Sequence, residues 1–137
     1  MRIYAVLDTN VLVSALLKWD SVPGNILEFA YSGVIIPVYN DDILGEYRQV
    51  LSRERFHFPP ELVEDVLAEM IEQGENINAE HLDIYLPDPK DVVFYEVVME
   101  KGKTDDAYLV TGNVKHFPSE KHVVTPREML DIILHKQ

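Results

Sequence analysis

The chain of 137 residues contains no cysteine. That excludes disulfides, thiolate metal sites and thiol nucleophiles, so any metal would be held by oxygen or imidazole. No apolar run approaches the roughly 20 residues a bilayer-spanning helix needs, and no membrane association is expected. Basic residues are scarce: 12 Lys and Arg stand against 24 Asp and Glu, for a net charge of −12. Proteins that hold nucleic acid by counterion release are usually basic. A nucleic-acid role here would therefore need bound cations or a basic partner to reverse the sign locally. Elsewhere the acidic surface serves solubility. There is no Gly-rich phosphate loop of the usual spacing, and His57, His116 and His122 form no helical His pair. Ser14 and Ser52 lack a nucleophile-elbow context. Repeats, low-complexity tracts and linkers are missing as well. Residues 1–137 are thus expected to form a single domain, long enough to bury roughly two-thirds of its unfolded surface. The start of the chain, with one Arg before a strand-like run, does not resemble a secretory signal. Together with the missing cysteine, this leads to the expectation of a cytoplasmic protein.

What is present is an alternation of apolar strands and amphipathic helices. Ile3 to Leu7 is an apolar run that ends abruptly in Asp8-Thr9-Asn10, after which apolar residues resume at helical spacing. Such a run reads as a parallel strand buried on both faces. Val11 to Lys18 is predicted as a helix capped by Thr9 or Asn10. Ser21-Val22-Pro23 opens a second helix that stops at Gly33. Val34 to Val38 is a second strand, with Pro37 predicting a sheet edge or the strand's own end. Asn40-Asp41-Asp42 opens a helix to about Arg53, Phe56 to Pro60 is a turn, and Glu61 to Gln73 is strongly amphipathic. A short strand is expected around Ile77, a helix from Asp88-Pro89 to about Lys101, and strands at Ala107–Thr111 and His122–Val124. Thr125-Pro126-Arg127-Glu128 is a capping box that starts a last helix to Leu134. The alternation predicts a three-layer α/β/α domain with a central parallel sheet.

In open α/β sheets ligands bind at the carboxyl ends of the strands. Asp8 ends the first strand, Asn113 follows the strand Ala107–Thr111, and Asp91 lies in the first turn of its helix. Right-handed crossovers bring these positions to one edge. Glu46, one turn into its own helix at the border of an apolar face, can join them. Acids without Lys or Arg between them repel unless a cation fills the cluster. Hard oxygen ligands favour Mg2+ or Mn2+, ions suited to phosphodiester hydrolysis. Taken singly, Asp91 also reads as a carboxylate at a helix start, Glu46 as a solvated helix acid, and Thr9 and Asn113 as cap and turn residues. Lys115-His116 with Lys121-His122, and Arg48 with Arg53 and Arg55, are small basic patches.

These residues resemble a PIN-domain ribonuclease, of the subgroup regarded as toxins of toxin–antitoxin pairs. The matching pieces are Val-Leu-Asp8-Thr9-Asn10-Val-Leu-Val-Ser-Ala, Ile-Leu-Gly-Glu46-Tyr-Arg-Gln-Val-Leu, Asp88-Pro89-Lys90-Asp91, and Tyr-Leu-Val-Thr111-Gly112-Asn113-Val-Lys-His-Phe-Pro. They occur in family order and span nearly the whole chain. The resemblance implies a PIN-like α/β/α domain that hydrolyses single-stranded RNA with an acidic pocket binding Mg2+ or Mn2+. It carries the catalytic and metal-binding acids onto Asp8, Glu46 and Asp91, with Thr9, Asn10 and Thr111 in support. The family often has a fourth acid where this chain has Asn113. Asn113 is therefore expected as a weaker metal ligand, with one metal well held and a second recruited only alongside RNA. The resemblance further implies a homodimer and a small basic antitoxin protein as partner. The alternatives are a catalytically weakened PIN domain that binds RNA or protein without efficient cleavage, and a phosphohydrolase acting on DNA or another phosphodiester.

Overall fold

The computed structural model describes residues 2–136. Five strands line up in the order β3-β2-β1-β4-β5, every pairing parallel. They are β1 (Ile3–Leu7), β2 (Ile35–Tyr39), β3 (Glu75–Asn76), β4 (Ala107–Val110) and β5 (Val123–Val124). The longest apolar run takes the centre: all five residues of β1 are buried. Five α-helices lie between the strands, α1 (Thr9–Leu17), α2 (Val22–Ser32), α3 (Asp41–Leu51), α4 (Pro60–Gln73) and α5 (Val92–Lys101), and α6 (Pro126–Lys136) follows the last. Helix α5 packs on β1, β2 and β4, while α2 packs on β2 and on α1, α4 and α6. The result is the three-layer α/β/α arrangement expected from the alternation. Among the described residues no helix is long and apolar enough to cross a membrane.

Local signals act where the sequence has them. The Ser21 hydroxyl accepts from the Gly24 amide at 3.1 Å, and Gly33 ends α2 at a φ of 85°, where a side chain would be strained. Asn40 caps α3 by accepting from the Ile43 amide at 2.9 Å. Thr125 and Glu128 exchange both capping-box bonds, at 2.9 and 3.1 Å, at the start of α6.

Four expectations need correction. Helix α1 starts at Thr9, so Asp8 and not Thr9 or Asn10 occupies the cap position, and its carboxylate makes no cap bond. Strand β2 is not at the edge; it pairs with β1 and β3. Its pairing with β3 begins only at Val38, so Pro37 leaves no donor missing on that side. The short third strand is Glu75–Asn76, just ahead of Ile77. The helix expected from Asp88 is two pieces: a 3-10 turn, Pro89–Asp91, and then α5. Asp91 therefore closes the 3-10 turn, at the joint where α5 begins.

The long irregular segment between β3 and that turn is held down by α5. The buried Glu96 carboxylate accepts the Leu82 amide at 2.7 Å, and Glu100 receives the Glu80 amide at 3.4 Å.

Candidate active site

The sheet order puts β1 beside β4, and the chain leaves this pair in opposite directions. A crevice opens at such a switch point, at the carboxyl ends of the two strands. Asp8 follows β1 and Thr111 follows β4, and the ladder extends to them: the Asp8 amide donates to the Val110 carbonyl at 2.9 Å. The Asp8 side chain is buried, only 7% of the residue being exposed. The Thr111 hydroxyl donates to Asp8 Oδ2 at 2.7 Å, and the Asn10 carboxamide donates to the same oxygen at 3.3 Å. Each supporter is fixed in turn. Thr111 Oγ1 accepts the Asn113 amide at 3.0 Å, and Asn10 Oδ1 accepts the Gly112 amide at 3.2 Å. The turn after β4 is thus tied to the carboxylate at the end of β1.

Tyr47 of α3 fixes the floor. Its hydroxyl donates to the Leu7 carbonyl at 2.5 Å, and its ring packs on Phe94 of α5 with centroids 6.3 Å apart. Full burial pushes the Tyr47 phenol far above its ordinary range, so it remains a donor. Its immediate predecessor on α3, Glu46, is half-buried on the cavity side.

Asp8, Glu46, Asp91 and Asn113 line one cavity of about 360 Å³, together with Thr9, Asn10 and His116. Burial raises the Asp8 carboxyl above its usual range, and the charge of Glu46 adds to this; bonds from Thr111 and the Thr9 backbone oppose it. Asp91 is raised to about 6, first by burial and then by the charges of Asp8 and Asp88, with His116 opposing. His116 Nδ1 stands 3.4 Å from Asp91 Oδ2. Among the described residues neither Asp8 nor Glu46 has a Lys or Arg within ion-pair distance.

The chemistry of these donors fits a hard divalent cation: carboxylates and a carboxamide, with no sulfur. Thr9 also lines the cavity, and its buried hydroxyl has no hydrogen-bond partner among the described residues. The carboxylates share the cavity without closing on a common point. Among the described residues no three Asp, Glu or His groups stand close enough together to hold an ion. Like charges without a counter-ion have reason to stand apart.

Two larger hollows, of about 460 and 490 Å³, lie elsewhere. The first is at the amino end of β4, where Asp105 and Asp106 are already paired with Lys101 and Lys136. That location excludes them from the carboxyl edge. The second has a mixed wall, with Val114, Phe117 and Val123 beside Lys115, Glu120 and Glu128.

Among the cavity residues that the sequence pattern did not point to are His116, Arg53 and Arg55. His116 read as part of a loop patch, and its approach to Asp91 is a product of the fold. Arg53 and Arg55 read with Arg48 as a small unspecific basic patch, yet both line the same cavity, beside Phe56. A basic pair followed by an aromatic just after the helix that bears Glu46 was the only signal available.

A family model described as PIN domain matches residues 4–115, which takes in Asp8, Thr9, Asn10, Glu46, Asp91, Thr111 and Asn113. No curated protein and no solved structure matches the chain.

Proposed function

Because the chain belongs to the PIN-domain family, whose members are generally nucleases, we propose that it is a divalent-metal-dependent endoribonuclease acting on single-stranded RNA. The observation that carries this reading is the buried Asp8 carboxylate at the β1–β4 crevice, sharing one cavity with Glu46 and Asp91 and lacking any Lys or Arg partner. PIN domains typically use divalent metals. Here Asp8, Glu46 and Asp91 would hold Mg2+ or Mn2+, with Asn113 as a neutral fourth donor. When bound, such an ion would polarise a phosphoryl oxygen and acidify a water for attack.

The chain's own residues supply the rest. Thr111 and Asn10 hold Asp8 so that its orientation costs nothing at the moment of reaction. His116 lies beside Asp91 and can donate to a phosphate oxygen through its other ring nitrogen. Lys90, at the cavity wall, offsets the charge of an entering phosphate. We extend the proposal to a toxin of a toxin–antitoxin pair, cytoplasmic and homodimeric. In support stand the motif resemblance and the net charge of −12, which suits a small basic antitoxin.

The test is cleavage of a labelled single-stranded RNA by purified protein. Chelation should stop it, and Mn2+ should restore it while RNA hairpin stems and DNA duplexes stay intact. Activity that persists in chelator would refute the metal-dependent reading. A second reading, an RNA- or protein-binding domain with weakened turnover, draws on Asn113 and on the open spacing of the acids. If Asn113→Asp raises the Mn2+-dependent rate at least tenfold (about 1.4 kcal/mol of barrier), the weakened reading is favoured; an unchanged or lower rate favours the nuclease as it stands.

A further inference from the structure

The connection between α3 and α4 carries a feature that neither the fold nor the acidic site requires. Phe56 and Phe58 stack with ring centroids 5.5 Å apart and planes 14° from parallel. The Arg55 guanidinium lies over the Phe56 ring, 4.8 Å from its centroid. Phe58 packs against the hydrophobic core, whereas Phe56 does not and stays half-exposed. The turn between them passes through His57 at a φ of 55°, a region that non-glycine residues occupy only at some energetic cost. One ring is therefore anchored, and the other is held out on it with a planar cation on top.

This stack adjoins the site. Phe56, Arg55 and Arg53 line the same cavity as Asp8, Glu46 and Asp91. The chain has twice as many acids as Lys and Arg, 24 against 12. Nevertheless, among the described residues Arg53 and Arg55 have no carboxylate within ion-pair distance. Arg48, one turn back on α3, is by contrast paired with Glu64. Two unpaired guanidiniums and an outward aromatic, at the lip of an acidic pocket, match the parts of one nucleotide. The flat surfaces suit an unpaired base, and the free guanidinium suits its phosphate.

We propose that Arg53, Arg55 and Phe56, backed by Phe58, form a stacking subsite for one unpaired base of a single-stranded RNA next to the scissile phosphate. This rests on the nuclease reading above and names how the strand is held. A base inside a duplex has no free face for such a surface, so the subsite selects single strands. Because the base meets the flat guanidinium of Arg55 carried on the Phe56 ring, a contact to its π-face rather than to a base edge, the subsite confers little sequence preference.

The test is fluorescence anisotropy with a labelled RNA of about ten nucleotides, in buffer with Ca2+ as the oxygen-seeking ion and the strand's integrity checked on a gel. The same strand carrying an abasic nucleotide at successive positions is titrated in parallel. Wild type should bind the intact strand more tightly than one abasic version. Phe56→Ala and Arg55→Ala should each weaken binding of the intact strand by roughly tenfold. Phe56→Ala should also no longer distinguish the intact from the abasic strand, and Phe56→Trp should restore the distinction. Tyr85→Ala, at an almost fully exposed aromatic outside the cavity, should bind as wild type does. If wild type binds RNA and Phe56→Ala binds equally well, the subsite is refuted while the nuclease reading stands. If Phe56→Ala weakens binding but still senses the abasic position, the contact is to phosphate and stacking is refuted. If wild type binds no single strand at all, both readings fall.

Discussion

At Asp91, burial and the charges of Asp8 and Asp88 lift the carboxyl to about 6, from the 3.8 of an open chain. A carboxyl raised on folding binds its proton more tightly in the folded state. Its contribution to stability is complete below pH 3.8 and is lost as the pH rises through about 6. Protein free of divalent ions should therefore be strained at this residue at pH 7.5. Asp91→Asn should raise its melting temperature there by a few degrees, and the gain should shrink as the pH is lowered towards 4. Mn2+ should raise the melting temperature of wild type at pH 7.5 and have little effect on Asp91→Asn. Melting curves across this pH range, with and without the ion, check both statements. The same logic covers Asp8, whose carboxyl is also raised chiefly by burial.

Among the elements, α3 does most to position the site, since it brings both Glu46 and the Tyr47 hydroxyl under the end of β1. Tyr47→Phe keeps the ring on Phe94 but leaves the buried Leu7 carbonyl without this donor. It should destabilise the fold by about 1–2 kcal/mol, read from denaturant unfolding, and slow cleavage by loosening Asp8. Strands, helices and caps were legible in the sequence because local chemistry sets them: the unbroken apolar run of β1, Ser21, Asn40 and the Thr125–Glu128 box. The convergence of Asp8, Asp91 and Asn113 at the carboxyl edge was legible because parallel strands joined by helices leave few topologies. Details that depend on contacts between distant segments were not. Nothing near Asp91 announces that its helix begins as a 3-10 turn, or that His116 will reach it. Tyr47 falls at helical spacing with Ile43, Val50 and Leu51, and periodicity cannot distinguish a ring that packs from one that also donates. Pro37 suggested an edge, but the short pairing of β2 with β3 allowed it inside the sheet.

For the whole molecule, the net charge of −12 sets the terms on which a polyanion can approach. The carboxylates in the cavity repel phosphate, and Arg53, Arg55 and Lys90 at the same cavity attract it. A divalent cation among the acids would turn the centre of this pattern from repulsive to attractive, so binding of RNA and binding of the ion should reinforce each other. On the proposed reading, this coupling rather than a basic surface would let an acidic domain act on RNA. Its keystone is Asp8, which the fold supports from Thr111 just after β4, from Asn10 and, through Leu7, from Tyr47. The most direct measurement is the Mn2+-dependent rate of single-stranded RNA cleavage by wild type and by Asp8→Asn, with circular dichroism run on both. The account predicts that the rate falls by at least a hundredfold (about 2.7 kcal/mol of barrier) while the spectra and melting stay folded. A folded Asp8→Asn protein that cleaves at the wild-type rate would contradict it.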